Sequence, residues 1–396
     1  MKEKSNDLKE IQFHEVQNPQ RFEDGQYNEA LYREALEAAV KKVRENLEVY
    51  IDKYPHVSEN NVYPQEENKL WTASFFPGIV YLTYEITGDK SYLRYSDEYV
   101  KSFKLRVEEG RTVTHDLGFL YTLSCVANYK LTGNEEAKAV ALKAADVLIS
   151  RYNEKGRYIQ AWGAIGLKYP DVKIIIDTML NLPFLYWASE VTGDRKYHDI
   201  AYNHAITASQ SIVRDDASTY HTYLMNPDTG EAVEGKTHQG RFDESTWARG
   251  QAWAVYGFAL SYTYTKEPYF LDVARKTANY FLNHLPQDHV PYWDFSFTDT
   301  EPDIRDSSAA AITLCGLLEL AKHVEGQERE LYQKAAYKIV ESLYINYSTK
   351  DDPHSNGLLL HGMYHRTNGA DECTIWGDYY YFEALVRLLK DWKMYW

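Results

Sequence analysis

Two aspartates stand out in this sequence because each comes directly before an apolar, aromatic run. Asp116 precedes LGFLYTL, and Asp177 precedes TMLNLPFLYW. An aspartate in such a place is often an ordinary helix N-cap, and that is the interpretation we favour for Asp306 and Ser307. For Asp116 and Asp177 we favour a functional role, because a carboxylate among apolar neighbours costs desolvation energy. A pair of carboxylates in an aromatic cleft can carry out acid–base hydrolysis of a glycosidic bond.

Tryptophan recurs near the starts of the apolar runs. The four positions are Trp71, Trp247, Trp253 and Trp376. Indole faces suit stacking against the CH-rich faces of sugars, and plain core packing is the alternative. Arg249 lies four residues before Trp253, so a guanidinium and an indole project from one helix face. We place Trp71, Trp253, Trp376 and Arg249, together with His115 beside Asp116, among the candidate substrate-binding residues.

Two polar, glycine-containing segments, around residues 158–164 and 220–237, are predicted as long loops or short hairpins at one rim. His221 lies in the second segment, and the pair His238-Gln239 follows it directly. These loops would cover the mouth of the site. We therefore add His221 and Gln239 to the candidate substrate-binding residues, with a solvated loop side chain as the alternative for a lone histidine.

Motifs for a metal, a nucleotide or a serine nucleophile are absent from the sequence. It contains no HExxH and no CxxC, and no GxSxG, P-loop or GxGxxG in a strand-turn-helix context. The cysteines Cys125, Cys315 and Cys373 are far apart in apolar or aromatic runs, so we expect buried thiols rather than disulfides. We predict neither a metal nor a cofactor.

These residues belong to a repeated unit of two helices. In the clearest copies, near Gly78, Gly118 and Leu182, an apolar run ends at a Thr-Gly-Asp-like turn and an amphipathic helix follows. A helix that is apolar on every face must be buried among other elements, whereas an amphipathic helix needs one face exposed to solvent. The pattern predicts an all-α (α/α)6 barrel of six helical hairpins, in which the N-terminal helix pairs with the final apolar run. An open helical solenoid is the alternative.

The composition limits the class of protein. The 396 residues include 43 Lys+Arg and 58 Asp+Glu, for a formal charge of -15, and the hydrophobic share of 44% excludes a disordered chain. The acidic balance disfavours nucleic acid and anionic membranes as partners. No apolar run could span a bilayer and the N-terminus lacks the apolar segment of a secretory signal, so we expect a cytoplasmic protein. We predict one catalytic domain over residues 1–396, with 1–25 as a peripheral segment, and the sequence predicts no oligomeric state.

Four runs in this chain resemble one known family. The runs are HDLGF at 115–119, IDTMLNLPFL at 176–185, WARGQAWAVYGF at 247–258 and WGDYYYFEAL at 376–385. They look like the unsaturated glucuronyl hydrolases of glycoside hydrolase family 88, in the family's order from about Trp71 onward. The resemblance implies an (α/α)6 barrel that releases a 4,5-unsaturated uronic acid from oligosaccharides left by polysaccharide lyases.

The resemblance also implies roles for individual residues. Asp177 corresponds to the catalytic acid/base and Asp116 to the second essential carboxylate. The positions that match substrate-contacting residues are His221, Gln239, Arg249 and Trp253, with Trp71 in an aromatic subsite. Two alternatives stay open: an unsaturated rhamnogalacturonyl hydrolase of family 105, acting on pectin fragments, and a non-catalytic carbohydrate-binding toroid.

The expected chemistry needs a carboxyl group that holds a proton near neutral pH. The apolar run KIIIDTML and a nearby anionic Asp116 should both raise the pKa of Asp177, whereas a helix N-terminus would lower it. We expect burial and like charge to prevail. The segment before the last apolar run contains Arg366 and Thr367 but no lysine, so unsulfated chondroitin or hyaluronan disaccharides are expected at least as much as sulfated ones.

Overall fold

Two concentric rings of helices make up most of the protein in a computed structural model, which describes residues 8–396. The outer helices are α1 (Glu29–Asn46), α3 (Ser96–Glu108), α6 (Glu135–Ile149), α8 (Arg195–Ser211), α10 (Pro268–Asn283) and α12 (Gly326–Ser342). The inner helices are α2 (Phe75–Thr87), α4 (Leu117–Tyr121), α5 (Ala127–Thr132), α7 (Leu182–Thr192), α9 (Ala248–Thr265), α11 (Ser307–Leu320) and α13 (Ile375–Leu389). A π-helical turn over Thr122–Val126 joins α4 and α5 into one inner helix.

The inner ring closes on itself. Each inner helix packs against the next along the chain, and the last, α13, packs against the first, α2. The N-terminal helix α1 packs on α13, so the first and last parts of the chain complete one hairpin unit, as predicted. The predicted (α/α)6 barrel is confirmed, and the open-solenoid alternative is wrong.

The Thr-Gly-Asp-like turns join inner to outer helices through two caps. Gly88, Gly133 and Gly193 follow α2, α5 and α7 with φ of 71°, 72° and 74°, a left-handed conformation that glycine adopts without Cβ strain. The next residue then caps the following helix: Asn134 accepts from two backbone N–H groups of α6, and Asp194 accepts from one of α8. A short polar turn therefore stops one helix and starts the next.

Short antiparallel strands lie between the helices. The pair β1 (Tyr152–Asn153) and β2 (Tyr158–Ile159) follows α6, and β3 (Lys173–Ile175), β4 (Thr222–Met225) and β5 (Ala232–Lys236) form a three-stranded sheet in that order. A third sheet is the hairpin of β6 (Gly362–His365) and β7 (Asn368–Glu372). In register, Ile175 of β3 is opposite Thr222 of β4. Strand β3 of the three-stranded sheet leads directly into the turn that contains Asp177.

Residues 390–396 close the other end of the inner ring. Trp396 is buried and stacks on Tyr380 with ring centroids 5.8 Å apart, and its indole N–H donates to Glu383 Oε2 at 2.7 Å. Arg387 pairs with Glu383 at 2.8 Å and with Glu319 at 2.9 Å in the same buried network. One end of the barrel is therefore packed with side chains, and the opposite end is where a site can open.

The N-terminal segment contacts the outside of the barrel. Residues 1–7 of the predicted peripheral segment 1–25 lie outside the described residues. Beyond them, Ile11 and Phe22 are buried, and the Gln12 N–H donates to the Asp215 carbonyl at 2.7 Å. The assignment of the whole chain to one domain stays a prediction. Within residues 8–396, no helix combines the length and apolarity that crossing a membrane requires.

Candidate active site

A cavity of about 260 Å³ opens at the end of the barrel where the inner helices begin. It is lined by Trp71, His115, Asp116, Trp162, Asp177, His238, Gln239, Arg249 and Tyr364. Both candidate catalytic aspartates and four of the candidate binding residues thus lie around one space. The other three candidates, His221, Trp253 and Trp376, are buried behind the lining.

Asp116 immediately precedes α4, but its side chain makes no N-cap hydrogen bond. Its Oδ2 instead accepts from the Thr114 hydroxyl at 2.6 Å, and its Oδ1 lies 3.4 Å from His115 Nε2. The side chain is 11% exposed, through the cavity. The Asp116 side chain therefore faces the pocket rather than capping the helix.

Asp177 lies in a 3₁₀ turn, Ile176–Leu180, between β3 and α7. Its side chain is 16% exposed, and its Oδ1 is a buried atom without a hydrogen-bond partner in the described part of the chain. Burial, followed by the negative charge of Asp116, raises the pKa of Asp177 to about 7, against the opposing effect of Arg249. The direction agrees with the sequence-based expectation. A carboxyl group with this pKa can deliver a proton near neutral pH.

His221 faces Asp177 from behind the pocket. Its Nδ1 accepts hydrogen bonds from the backbone N–H groups of His238 at 3.1 Å and Gln239 at 3.0 Å. Burial lowers the pKa of His221 well below its usual range, so the ring is neutral and its proton resides on Nε2. That Nε2 lies 3.7 Å from Asp177 Oδ1. His221 is placed to orient Asp177 rather than to form an open wall of the cavity.

His115 connects the segments that carry the two carboxylates. Its Nδ1 is 2.8 Å from the Thr178 hydroxyl, one residue after Asp177, while its Nε2 faces Asp116. Burial lowers the pKa of His115, although Asp116 opposes the effect. A neutral ring can donate from Nε2 to Asp116 and accept at Nδ1 from Thr178. His115 thereby fixes the position of Asp116 relative to Asp177.

Arg249 lines the cavity, but most of its donors are already engaged. It pairs with Asp306 at 2.8 Å, donates to the Met363 carbonyl, and donates to the Tyr364 carbonyl at 3.2 Å. Asp306 also accepts from two backbone N–H groups at the start of α11, so the predicted N-cap is confirmed for Asp306, whereas Ser307 is the first residue of the helix rather than a cap. Gln239 donates to the same Tyr364 carbonyl at 2.5 Å. Arg249 and Gln239 together hold the β6 strand at the pocket.

Aromatic side chains form the walls of the cavity. Trp71, Trp162 and Tyr364 are each half-buried, which leaves ring surface open to a ligand. Trp376 lies behind this layer, with its centroid 5.1 Å from that of Trp71 and its indole N–H bonded to the Ser308 hydroxyl. Trp253 is also fully buried, below the floor. Neither has a ring face open to a sugar, so stacking on substrate does not fit their position.

Three lining residues were missing from the candidates chosen from the sequence: Trp162, His238 and Tyr364. Trp162 and His238 come from the predicted rim loops, where aromatic and polar residues beside glycine are a usable signal. Tyr364 comes from β6, whose contact with Arg249 bridges more than a hundred residues. No local pattern indicates such a contact.

The segment that carries Trp162 is held by a buried arginine. Arg151 donates to the carbonyls of Gln160 at 2.9 Å, Ala161 at 3.2 Å and Gly163 at 3.0 Å. The Ala161 carbonyl also accepts from the His115 N–H at 2.8 Å. One backbone segment therefore links an aromatic wall to the carboxylate side of the pocket.

Nothing in residues 8–396 brings three or more His, Cys, Asp or Glu side chains together in an arrangement that could hold a metal ion. The pocket contains two carboxyl groups in different environments, neutral histidines that orient them, and aromatic walls. Such a site can donate a proton to a bound sugar and take one from water.

Comparison with known proteins gives consistent matches. The family model described as Glycosyl Hydrolase Family 88 matches residues 40–390. The unsaturated chondroitin disaccharide hydrolase of Streptococcus pyogenes is 43% identical over 98% of this chain and 99% of its own length. The crystal structure of unsaturated glucuronyl hydrolase from Streptococcus agalactiae superimposes with a TM-score of 0.95 at 41% identity, covering 98% of this chain and all of that one.

An aspartate-to-asparagine mutant of the Streptococcus agalactiae enzyme, complexed with dGlcA-GalNAc6S, also matches. Its TM-score is 0.88 at 39% identity, over 98% of this chain and all of that chain. The family match spans both carboxylates and every residue that lines the cavity. On these grounds the chain belongs to glycosyl hydrolase family 88, alongside the unsaturated glucuronyl hydrolases.

Proposed function

We propose that this protein removes the 4,5-unsaturated uronic acid from the non-reducing end of glycosaminoglycan oligosaccharides produced by lyases. Unsaturated chondroitin and hyaluronan disaccharides are the proposed substrates. The name of the Streptococcus pyogenes relative and the dGlcA-GalNAc6S complex of the Streptococcus agalactiae mutant support this substrate class. The observation that carries the proposal is the buried Asp177 carboxyl, whose pKa of about 7 lets it act as an acid beside Asp116.

The first step is transfer of a proton from Asp177 to C4 of the unsaturated ring. The C4=C5 double bond is conjugated with the ring oxygen as an enol ether, so protonation at C4 leaves a positive charge at C5 that this oxygen shares. Asp177 becomes a carboxylate in this step. The carboxylates of Asp177 and Asp116 then lie beside the cationic ring, which stabilises the developing charge.

Water then adds to C5, and its proton returns to Asp177, with Asp116 placed to assist. The product is a hemiketal, which opens to a ketone at C5 and leaves C1 as a hemiacetal. That hemiacetal expels the neighbouring sugar. The glycosidic bond therefore breaks as a result of hydration, and the rule that relates carboxylate spacing to retention or inversion does not apply.

The walls of the pocket hold the sugar for this reaction. Trp71, Trp162 and Tyr364 offer ring surface to the apolar faces of the pyranose rings. Gln239 and Arg249 keep the Tyr364 strand in place. We assign Asp177 and Asp116 as catalytic residues, and His115 and His221 as residues that position them.

The absorbance of the conjugated double bond provides the test. Unsaturated chondroitin disaccharide should lose its ultraviolet absorbance in the presence of the protein, and Asp177→Asn should lower kcat by roughly 10²–10⁴-fold because the acid is removed. Calorimetry should still detect disaccharide binding to the variant, since the walls are unchanged. Asp171→Asn, an exposed position on the preceding loop, is the matched control and should retain full activity.

Substrates run side by side separate the alternatives. Faster turnover of unsaturated rhamnogalacturonan disaccharide would favour the family 105 type of activity, and absorbance that stays constant with every unsaturated substrate would favour a non-catalytic carbohydrate-binding toroid. Retained turnover by Asp177→Asn would overturn the assignment of the acid. A cytoplasmic location is also part of the proposal, and cell fractionation with an antibody to this chain tests it.

A further inference from the structure

Lys173 lies beside Trp162, which lines the cavity, and its ammonium group makes neither an ion pair nor a hydrogen bond within residues 8–396. It is the first residue of β3, four residues before Asp177, and it is half-buried. Its Nζ lies over the ring of Trp162, 5.7 Å from the centroid. Among residues 8–396 no carboxylate lies within 4 Å of this Nζ, although many other lysines of the chain do form such pairs.

The arginines near the pocket differ from Lys173 in this respect. Arg249 forms an ion pair with Asp306 and also binds backbone carbonyls. Arg151 directs its donors to three backbone carbonyls. Both guanidinium groups hold the protein's own structure together. Lys173 retains its three N–H donors for a ligand.

The side of the pocket next to Lys173 is shaped by an aromatic and an imidazole ring. Trp162 and His238 both line the cavity, with ring centroids 5.2 Å apart and their planes steeply inclined to each other. The pKa of His238 is lowered by burial, by His365 and by the positive charge of Lys173. The positive charge of Lys173 therefore acts on a residue that lines the cavity.

A local cation has a particular value in this protein. The formal charge of -15 repels an anionic sugar at long range, and Asp116 adds a negative charge to the lining of the pocket. We propose that Lys173, with Trp162 and His238, forms an anion-binding subsite at the pocket edge that receives a carboxylate or sulfate group of the sugar substrate. This inference rests on the proposed function, because it concerns how the same pocket holds its substrate.

The test compares Lys173→Met with a matched control, Lys266→Met. Lys266 also lies over an aromatic ring, 5.4 Å from the Tyr262 centroid, but it follows the C-terminal end of α9 and so lies at the opposite end of the barrel. Both variants remove one positive charge, which cancels the effect of net charge. Unsulfated and 6-sulfated unsaturated chondroitin disaccharides serve as substrates, and circular dichroism checks that each variant is folded.

We expect Lys173→Met to raise KM roughly tenfold, the effect of losing one charge-assisted hydrogen bond, with kcat within about twofold of wild type. Lys173→Arg should keep most of the affinity. An equal rise in KM for both disaccharides identifies the uronate carboxylate as the anion held. A rise confined to the 6-sulfated disaccharide identifies the sulfate.

The proposal is overturned if Lys173→Met and Lys266→Met have the same KM values on both disaccharides. It is also overturned if Lys173→Met lowers kcat while KM stays constant, since that indicates a disturbed Asp177 rather than a lost anion contact. Failure of the proposed function is a different result: the wild-type protein would then turn over neither disaccharide.

Discussion

Trp253 shows how the surroundings of a single residue decide its role. Its position four residues after Arg249 on α9 suggested a platform for a sugar ring. In the structure its ring is fully buried between Phe119 and Tyr380, at centroid distances of 5.3 and 5.6 Å. Its indole N–H has no hydrogen-bond partner within residues 8–396, yet it is the smallest of the influences that lower the pKa of Asp177 against the effect of burial. Trp253 is therefore assigned to tuning the pKa of Asp177 from a buried position, not to stacking on the substrate.

Trp253→Phe should move the alkaline limb of the kcat–pH profile upward. Phenylalanine keeps the aromatic packing but lacks the N–H, so the ionised form of Asp177 loses stabilisation and its pKa rises above about 7. Because the protonated acid is the active form, turnover should persist to higher pH in this variant. Initial rates measured from pH 5 to 9 (~0.5-unit steps) locate the alkaline limb in both proteins.

Trp376→Phe is the control for this variant. Its indole N–H donates to Ser308 rather than toward Asp177, so its loss should leave the alkaline limb in place. A limb that is unchanged or moved downward in Trp253→Phe would contradict the role assigned to this N–H.

The residue types predicted which carboxyl groups meet in the cavity better than they predicted which aromatic rings are exposed. Asp116 and Asp177 were recognisable because each carboxylate stands beside an apolar run, and the cavity does contain both. Trp376 has an equally suggestive position, but Trp71 covers it. Whether a ring is open or covered depends on side chains from distant parts of the chain, which a single sequence does not reveal.

At the scale of elements, one close contact between α4 and the turn before α7 determines the distance between the two catalytic carboxyl groups. Gly118 on α4 lies against Asn181, so that a Cβ atom at Gly118 would be 2.4 Å from Asn181 Cα and 2.6 Å from its carbonyl oxygen. The Phe119 N–H also donates to Asn181 Oδ1 at 2.8 Å. Asp116 comes two residues before Gly118, and Asp177 comes four before Asn181. This contact therefore controls the spacing of the catalytic pair.

Gly118→Ala should lower both stability and activity. The added methyl group meets backbone atoms, so α4 and the Asp177 turn must move apart, at a cost of about 1–3 kcal/mol in the free energy of unfolding. A displacement on the order of 1 Å can reduce kcat by ~100-fold. Thermal unfolding and steady-state kinetics on unsaturated chondroitin disaccharide measure the two effects.

Gly88→Ala separates the loss of activity from the loss of stability. Gly88 has a φ of 71°, and a methyl group added there would meet no atom of residues 8–396 within 4 Å, so alanine costs about 1 kcal/mol through backbone strain alone. This variant should be destabilised but keep its kcat. Equal losses of kcat in the two variants would show that Gly118 acts only through stability.

The helices were predictable because their signals are local. The glycine after α2, α5 and α7 and the polar cap that follows fix where each hairpin turns. The sequence predicted only loops or short hairpins where the structure has a three-stranded sheet. The strands β3, β4 and β5 are only three to five residues long, and β3 pairs with β4 across tens of residues, so the local pattern is weak. The π-helical turn between α4 and α5 has no composition signal at all.

At the scale of the whole molecule, the barrel has one open end and one filled end. The pocket opens where the inner helices begin, and residues 390–396 fill the ring where they finish. The many tyrosines, placed only in part from the sequence, contribute to this packing: Tyr379 and Tyr380 are buried against Trp396. Trp396 also lies 6.1 Å from Phe119, which contacts Trp71 of the pocket. The filled end therefore supports the floor of the site.

Trp396→Ala should destabilise the whole barrel while leaving substrate affinity nearly unchanged. The substitution removes a fully buried indole and leaves Glu383 Oε2 without its donor, so we expect a loss of about 3–5 kcal/mol in the free energy of unfolding. Trp396→Phe keeps the stacking on Tyr380 and should lose less. Thermal denaturation should show Tm falling in the order wild type, Trp396→Phe, Trp396→Ala, with KM within about twofold, because no lining residue of the pocket changes. An unchanged Tm in Trp396→Ala would mean that the inner helices keep the ring closed without the buried Trp396 side chain. A large rise in KM would mean that the filled end of the barrel shapes the pocket directly.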